Sequence, residues 1–246
     1  MQKVFGLSIV LLVIVALISC STQNPNPNNN GNNTTSLPSV TICNQVWATK
    51  NLDVSTYRNG DRIPEVPDLT QWSNLTTGAW CWYNNDSATY CQYGKLYNWY
   101  AVNDPRGLAP TGWHIPSDPE WNKLIKCIDP YSDTSISEGT PPIITGIQSS
   151  SAGGALKETG TNHWIAVSSA VTNSTGFTAL PGGMRAENGV FTLYAKFYGL
   201  WWSTTISNDP SIPIGIKIHS LFYNSNEVLS GKQSYRGGLS VRCIKD

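Results

Sequence analysis

"APTGWHIPSDPEW", residues 109–121, sets His114, Asp118 and Glu120 between Trp113 and Trp121. These residue types suit either acid–base chemistry or a tight structural joint. Ser117-Asp118-Pro119-Glu120 has the form of a capping box, Ser at the N-cap and Glu three residues on, each satisfying a free backbone N–H. Asp118 adds negative charge where the helix dipole favours it, and proline is tolerated in a first turn. Trp121, Leu124, Ile125 and Ile128 then recur at helical spacing along one apolar face. The stretch predicts a helix entrance, its path set by Pro110, Pro116 and Pro119. Catalysis by His114 would need a nucleophile and an orienting group within reach. Ser117, Asp118 and Glu120 are claimed by the helix start, so His114 reads as structural.

Away from this helix, strand signals dominate. Ile212, Ile214, Ile216 and Ile218 recur at period two, as do Leu239, Val241 and Cys243 near the C-terminus. "GLWWSTTI", residues 199–206, reads as a mostly buried strand, and Asn188-Gly189 before "VFTLY" reads as a hairpin turn. The reading is α+β: few helices, many short strands and a long loop-rich middle. Cys81 and Cys91 bracket the short polar loop "WYNNDSATY", which a disulfide between them closes easily. No CxxC or Cys/His spacing suggests a metal, and no motif points to a cofactor. His163 and His219 have no motif around them.

The N-terminus reads as an export signal. A positive residue, Lys3, precedes an apolar run from Val4 to Ile18 that is too short to span a bilayer comfortably. "LISC" at 17–20 resembles the lipobox of bacterial lipoproteins, with cleavage before Cys20 and a lipid on its thiol. Residues 1–19 are then the signal peptide. Residues 20–39, rich in Asn, Pro, Ser and Thr, form a tether that cannot bury a core. The folded domain runs over 40–246. The expected location is the cell envelope, on the outer membrane by its lipid, the tether lacking an acidic run that would assign its face. Formal net charge is zero, which argues against nucleic acid as partner.

Several runs together resemble the Fibrobacter succinogenes major paralogous domain family: "ICNQVWATKNLDVSTYRNGDRIP", "TGAWCWYNND", "YGKLYNWYAVNDPRGLAPTGWHIPSDPEW", "GGALKETGTNHW", "GFTALPGG", "LWWSTT" and "GGLSVRCIKD". They cover residues 40–246 in order. This chain departs from the pattern in "SNDPSIPIGIKIHSL" after "WWSTT", in Leu239 where Phe is usual, and in Met184 where an aromatic is common. The resemblance implies an exported lipoprotein of Bacteroidota or Fibrobacter with a C-type-lectin-like fold, alongside that of the formylglycine-generating enzyme.

That fold implies further expectations. It pairs the helix cysteine Cys127 with Cys243 on the last strand and leaves Cys43 unpaired; Cys43 with Cys243 is the alternative, because first and last strands are neighbours. The formylglycine-generating relatives use paired cysteines near the C-terminal end, where this chain has only Cys243. The calcium-lectin tripeptides are absent, and Ser207 to Pro210, "SNDP", is a loose echo of them. The resemblance places a ligand surface in the region from Gly139 to Asn226, with Trp164, Tyr194, Tyr198, Trp201 and Trp202 as its aromatic candidates. The functional expectation is a non-catalytic binding module for a glycan or protein; the alternative is an envelope structural or adhesion subunit without small-ligand binding. Asp86-Ser87-Ala88 matches a short O-glycosylation motif, making Ser87 a possible acceptor, though a chance surface turn explains three residues equally well.

Overall fold

Polar caps start the helices and short strands fill the spaces between them. The structure, a computed structural model, describes residues 36–135, 146–207 and 215–246. The signal peptide, Cys20 and most of the tether lie outside those residues, as do Ile212, Ile214 and most of "SNDP". Among the described residues five α-helices are formed: α1 (Leu69–Ser73), α2 (Ser87–Tyr90), α3 (Trp99–Val102), α4 (Asp118–Ile128) and α5 (Ala152–Leu156). Asp68, Asp86 and Asn98 cap the first three, each side chain accepting a backbone N–H three residues on. At α4 the Glu120 carboxylate reaches back to accept from both the backbone N–H and the hydroxyl of Ser117. Trp121, Leu124 and Ile125 are buried, as their spacing requires.

The strands are β1 (Ser39–Ile42), β2 (Gln45–Ala48), β3 (Trp80–Cys81), β4 (Leu96–Tyr97), β5 (Trp113–His114), β6 (Gly146–Ser149), β7 (Met184–Arg185), β8 (Phe191–Thr192), β9 (Tyr198–Ile206), β10 (Ile216–Phe222), β11 (Val228–Gln233) and β12 (Ile244–Lys245). One sheet runs β1-β2-β12-β5, so the last strand lies between the first hairpin and the strand that leads into α4. Ile244 there faces both Trp47 and His114. The second sheet runs β6-β11-β10-β9, and all its pairs are antiparallel. The β7–β8 ribbon turns at Asn188-Gly189, as its sequence requires; Gly189 has φ 84. The alternating C-terminal run behaves differently. Leu239 and Ser240 make single bridges to Tyr97 and Trp201, and residues 237–244 are buried on both faces.

Between the sheets lies an aromatic core. Trp121 packs 4.8 Å from Trp47 and 6.2 Å from Trp201, and stacks on buried His219 at 5.1 Å. Loops around this core are held by buried cations on backbone carbonyls. Arg242 spends all five N–H groups on neutral oxygens: two on Asn51 Oδ1 and one each on Ala48, Phe177 and Thr178 carbonyls. Arg185 forks onto the Gly189, Val66 and Pro67 carbonyls, and its guanidinium lies 4.4 Å over Trp72. Lys157 donates to the carbonyls of Phe222, Tyr223 and Ser225. A buried polar group must find partners, and in a loop-rich chain these cations supply donors to carbonyls that no sheet satisfies.

The disulfide expectations are corrected. Cys43 bonds Cys127, with Cα atoms 6.6 Å apart, while Cys81 and Cys243 are free and buried. Cys127 lies off the apolar face of α4 and is exposed, beside the exposed β1–β2 turn that carries Cys43. Cys243 points into the core with Trp113 and Trp202, out of reach of that outer helix face. Cys81 is equally committed to a separate cluster with Trp72 and Tyr83, so the Cys81–Cys91 bond does not form. Burial pushes both free thiols up to about 12.

Candidate functional site

The segment between β8 and β9 is backbone-strained. Leu193 has φ 44 and Lys196 has φ 73, a region that bulky L-residues rarely adopt. Tyr194 lies between them and is 65% exposed. Its carbonyl accepts the N–H groups of Phe197 and Tyr198, closing a tight turn. Neighbouring loops pin that turn: Lys196 N–H donates to the Pro181 carbonyl, and Ile165 N–H donates to the Lys196 carbonyl. Gly183 packs so closely that a Cβ there would stand 2.6 Å from Ala195 N.

From Tyr194 a continuous ridge of rings runs over the end of the second sheet. Tyr194 lies 6.4 Å from Phe197, Phe197 5.2 Å from Tyr223, Tyr223 4.6 Å from Phe222, and Phe222 stacks on Tyr198 at 4.6 Å. All but Tyr194 are half-buried. The Lys157 ammonium underneath holds the backbone of Phe222 and Tyr223 in place; burial lowers its pKa to about 8.

Two of the five candidate aromatics, Tyr194 and Tyr198, are on this ridge. The other three are corrected. Trp164, Trp201 and Trp202 are essentially fully buried, and their indole N–H groups are spent on Ala179 O, Asn51 Oδ1 and Tyr97 O. Residues of either kind carry the same composition; the sheet decides which way they face. The sequence reading missed Phe197, Phe222 and Tyr223. Phe222 and Tyr223 follow "SL" at the end of β10, and nothing local marks them as neighbours of Tyr194.

His114 has a carboxylate on each ring nitrogen: Glu120 at Nε2 and Asp246 at Nδ1, both at 2.8 Å. Burial opposes its charge, and these two carboxylates outweigh that, so its pKa is raised. The Ser117 hydroxyl donates to Glu120 at 2.7 Å. His163 Nδ1 is bound to Glu158 at 2.8 Å. Buried His219 lies between Gln148 and Asp118, at 2.9 and 3.1 Å. Burial works against the Asp118 charge, but His219 and Lys217 prevail and hold its carboxyl below the usual range. Among the described residues no group of three His, Cys, Asp or Glu side chains is placed to hold a metal, and no helix is long and apolar enough to cross a membrane. Ser87 is exposed at the start of α2.

Residues 40–245 match the Fibrobacter succinogenes major domain. No curated protein and no solved structure matches the chain.

Proposed function

The chain belongs to the Fibrobacter succinogenes major domain family over residues 40–245, and from that premise we propose that it is a non-catalytic binding module, lipid-anchored in the cell envelope, whose aromatic ridge takes a neutral glycan. The observation that carries this is the line of five rings, Tyr194, Phe197, Tyr223, Phe222 and Tyr198, the first exposed and the other four half-buried. Aromatic faces stack on the apolar face of a sugar ring while a phenol hydroxyl stays wet. The two positive-φ residues beside Tyr194 support the same reading, because strain persists where the surrounding structure over-determines it and collects at ligand-contacting loops. Zero formal charge favours a neutral ligand over a polyanion. The anchor rests on "LISC" and Cys20, with the outer membrane as the expected site.

The test is a glycan array probed with the protein and with a Tyr194→Ala/Tyr223→Ala variant, each with and without EDTA. Expected is binding to a neutral glycan, weakened at least about tenfold in the variant, with the variant still folded and the EDTA response unchanged. No binding to any glycan class would replace this reading with an envelope structural or adhesion subunit. Cys20→Ala should move the protein from the membrane to the soluble fraction; full retention in the membrane would overturn the anchor.

A further inference from the structure

The chain has three histidines, and their surroundings set one apart. His114 has a carboxylate on each ring nitrogen, Asp246 at Nδ1 and Glu120 at Nε2. His219 is buried, with Gln148 at Nδ1 and Asp118 at Nε2. His163 is engaged on one side only. Its Nδ1 meets both oxygens of Glu158, at 2.9 and 2.8 Å. Its Nε2 has no hydrogen-bond partner among the described residues and is not a buried atom; the side chain as a whole is 24% exposed.

That arrangement fixes the chemistry of the open nitrogen. The Glu158 carboxylate accepts and has no proton to donate, so Nδ1 carries the ring proton. In the neutral ring Nε2 is then an acceptor open to water. The ring is also braced. It packs edge-on to Tyr93 at 5.5 Å, and the Tyr93 hydroxyl donates to the His163 carbonyl at 3.1 Å. On the next residue the Trp164 indole donates to the Ala179 carbonyl.

The same short segment is tied to the ridge. Ile165 N–H donates to the Lys196 carbonyl, inside the strained turn that carries Tyr194. Ile165 is itself half-exposed, so apolar surface continues from Tyr194 toward His163. Binding sites combine apolar and aromatic walls with a small number of placed polar groups that set the ligand's orientation. The ridge supplies the rings, and His163 supplies an oriented acceptor two residues from its border.

We propose that His163 is the orienting polar contact of the ridge's ligand, Nε2 accepting a hydrogen bond from a hydroxyl of the neutral glycan, with Glu158 as the positioning residue that holds the ring and its tautomer. This rests on the glycan reading of the ridge. A mere loop fastener would use the same Nδ1–Glu158 bond, but its open nitrogen would not respond to a sugar.

The experiment follows the imidazole nitrogens of the isotope-labelled intact protein by NMR. The His163 signals are assigned by their loss in His163→Phe, which keeps a ring against Tyr93. The probes are cellohexaose, xylohexaose, mannohexaose and maltohexaose, with affinities taken by calorimetry. Expected is a saturable shift of His163 Nε2 with at least one hexasaccharide, while the His114 and His219 signals stay in place. His163→Phe and Glu158→Ala should each weaken that binding about fivefold or more. Glu158→Gln still offers an oxygen to Nδ1–H and should stay within about twofold of wild type. The Tyr194→Ala/Tyr223→Ala variant should weaken it at least about tenfold. If a hexasaccharide binds without moving the His163 signal, or binds His163→Phe as tightly, this proposal is overturned and the ridge reading stands. A His163 shift that survives intact in the Tyr194→Ala/Tyr223→Ala variant overturns it too, because His163 would then serve another site. Absence of binding by all four hexasaccharides also overturns it, and the glycan array decides the ridge reading separately.

Discussion

His114 carries a clear pH signature. Glu120 and Asp246 on its ring nitrogens raise its pKa despite partial burial. The folded state thus holds the imidazole proton more tightly than the unfolded chain. The resulting stability is fully present below the unfolded value of about 6.5 and is lost as pH rises through the higher folded value. Thermal melts of the wild type should fall in Tm relative to His114→Gln as pH rises above about 6.5. Parallel pH profiles of the two proteins would show that the pairs contribute nothing. Arg242 makes a stronger case. Burial pulls its pKa down to about 9, and no carboxylate is among the five oxygens it meets. Arg242→Met strands the Ala48 and Phe177 carbonyls and should cost about 3–5 kcal/mol, seen in urea denaturation. Arg242→Lys should rescue little, because a lysine has three donors and no planar fork.

At the scale of elements, the Cys43–Cys127 bond ties the first hairpin to the end of α4 across 84 residues of sequence. Closing a loop of that length constrains the unfolded chain by about 4.6 kcal/mol in the entropic account. Cys127→Ser should lower Tm by roughly 10 °C, by the usual scaling for a domain of this size. Cys81→Ser should not open a disulfide, because Cys81 has none. Burial keeps the Cys81 and Cys243 thiols protonated, so a thiol reagent should label them only after unfolding. Labelling in the native protein would contradict their placement in the core.

Across the whole molecule, aromatics divide into core and ridge, and truncation distinguishes them. Trp201→Ala empties a site shared with Trp121 and Phe177 and should cost about 3–5 kcal/mol. Tyr194→Ala removes an exposed ring and should stay within about 0.5 kcal/mol of wild type. Differential scanning calorimetry of the two variants measures both. Similar losses would mean that the ridge is part of the core.

Local patterns determined the local structure. The capping box and four apolar residues specify α4, because a helix end and one face are properties of contiguous residues. Asn188-Gly189 specifies the β7–β8 turn, and the long run from Tyr93 to Trp121 carries the family. Pairings between distant segments were not legible in the sequence. Which cysteines meet depends on which helix face is outward, and Cys127 is one position off the face that buries Trp121 and Leu124. Whether a tryptophan is wall or surface depends on sheet position, so Trp201 and Trp202 are both internal although neighbours on a strand point opposite ways. The ridge joins residues 194–198 to 222–223. Only the tertiary structure decided these, because spatial neighbours far apart in sequence leave no periodicity for a local reading to detect.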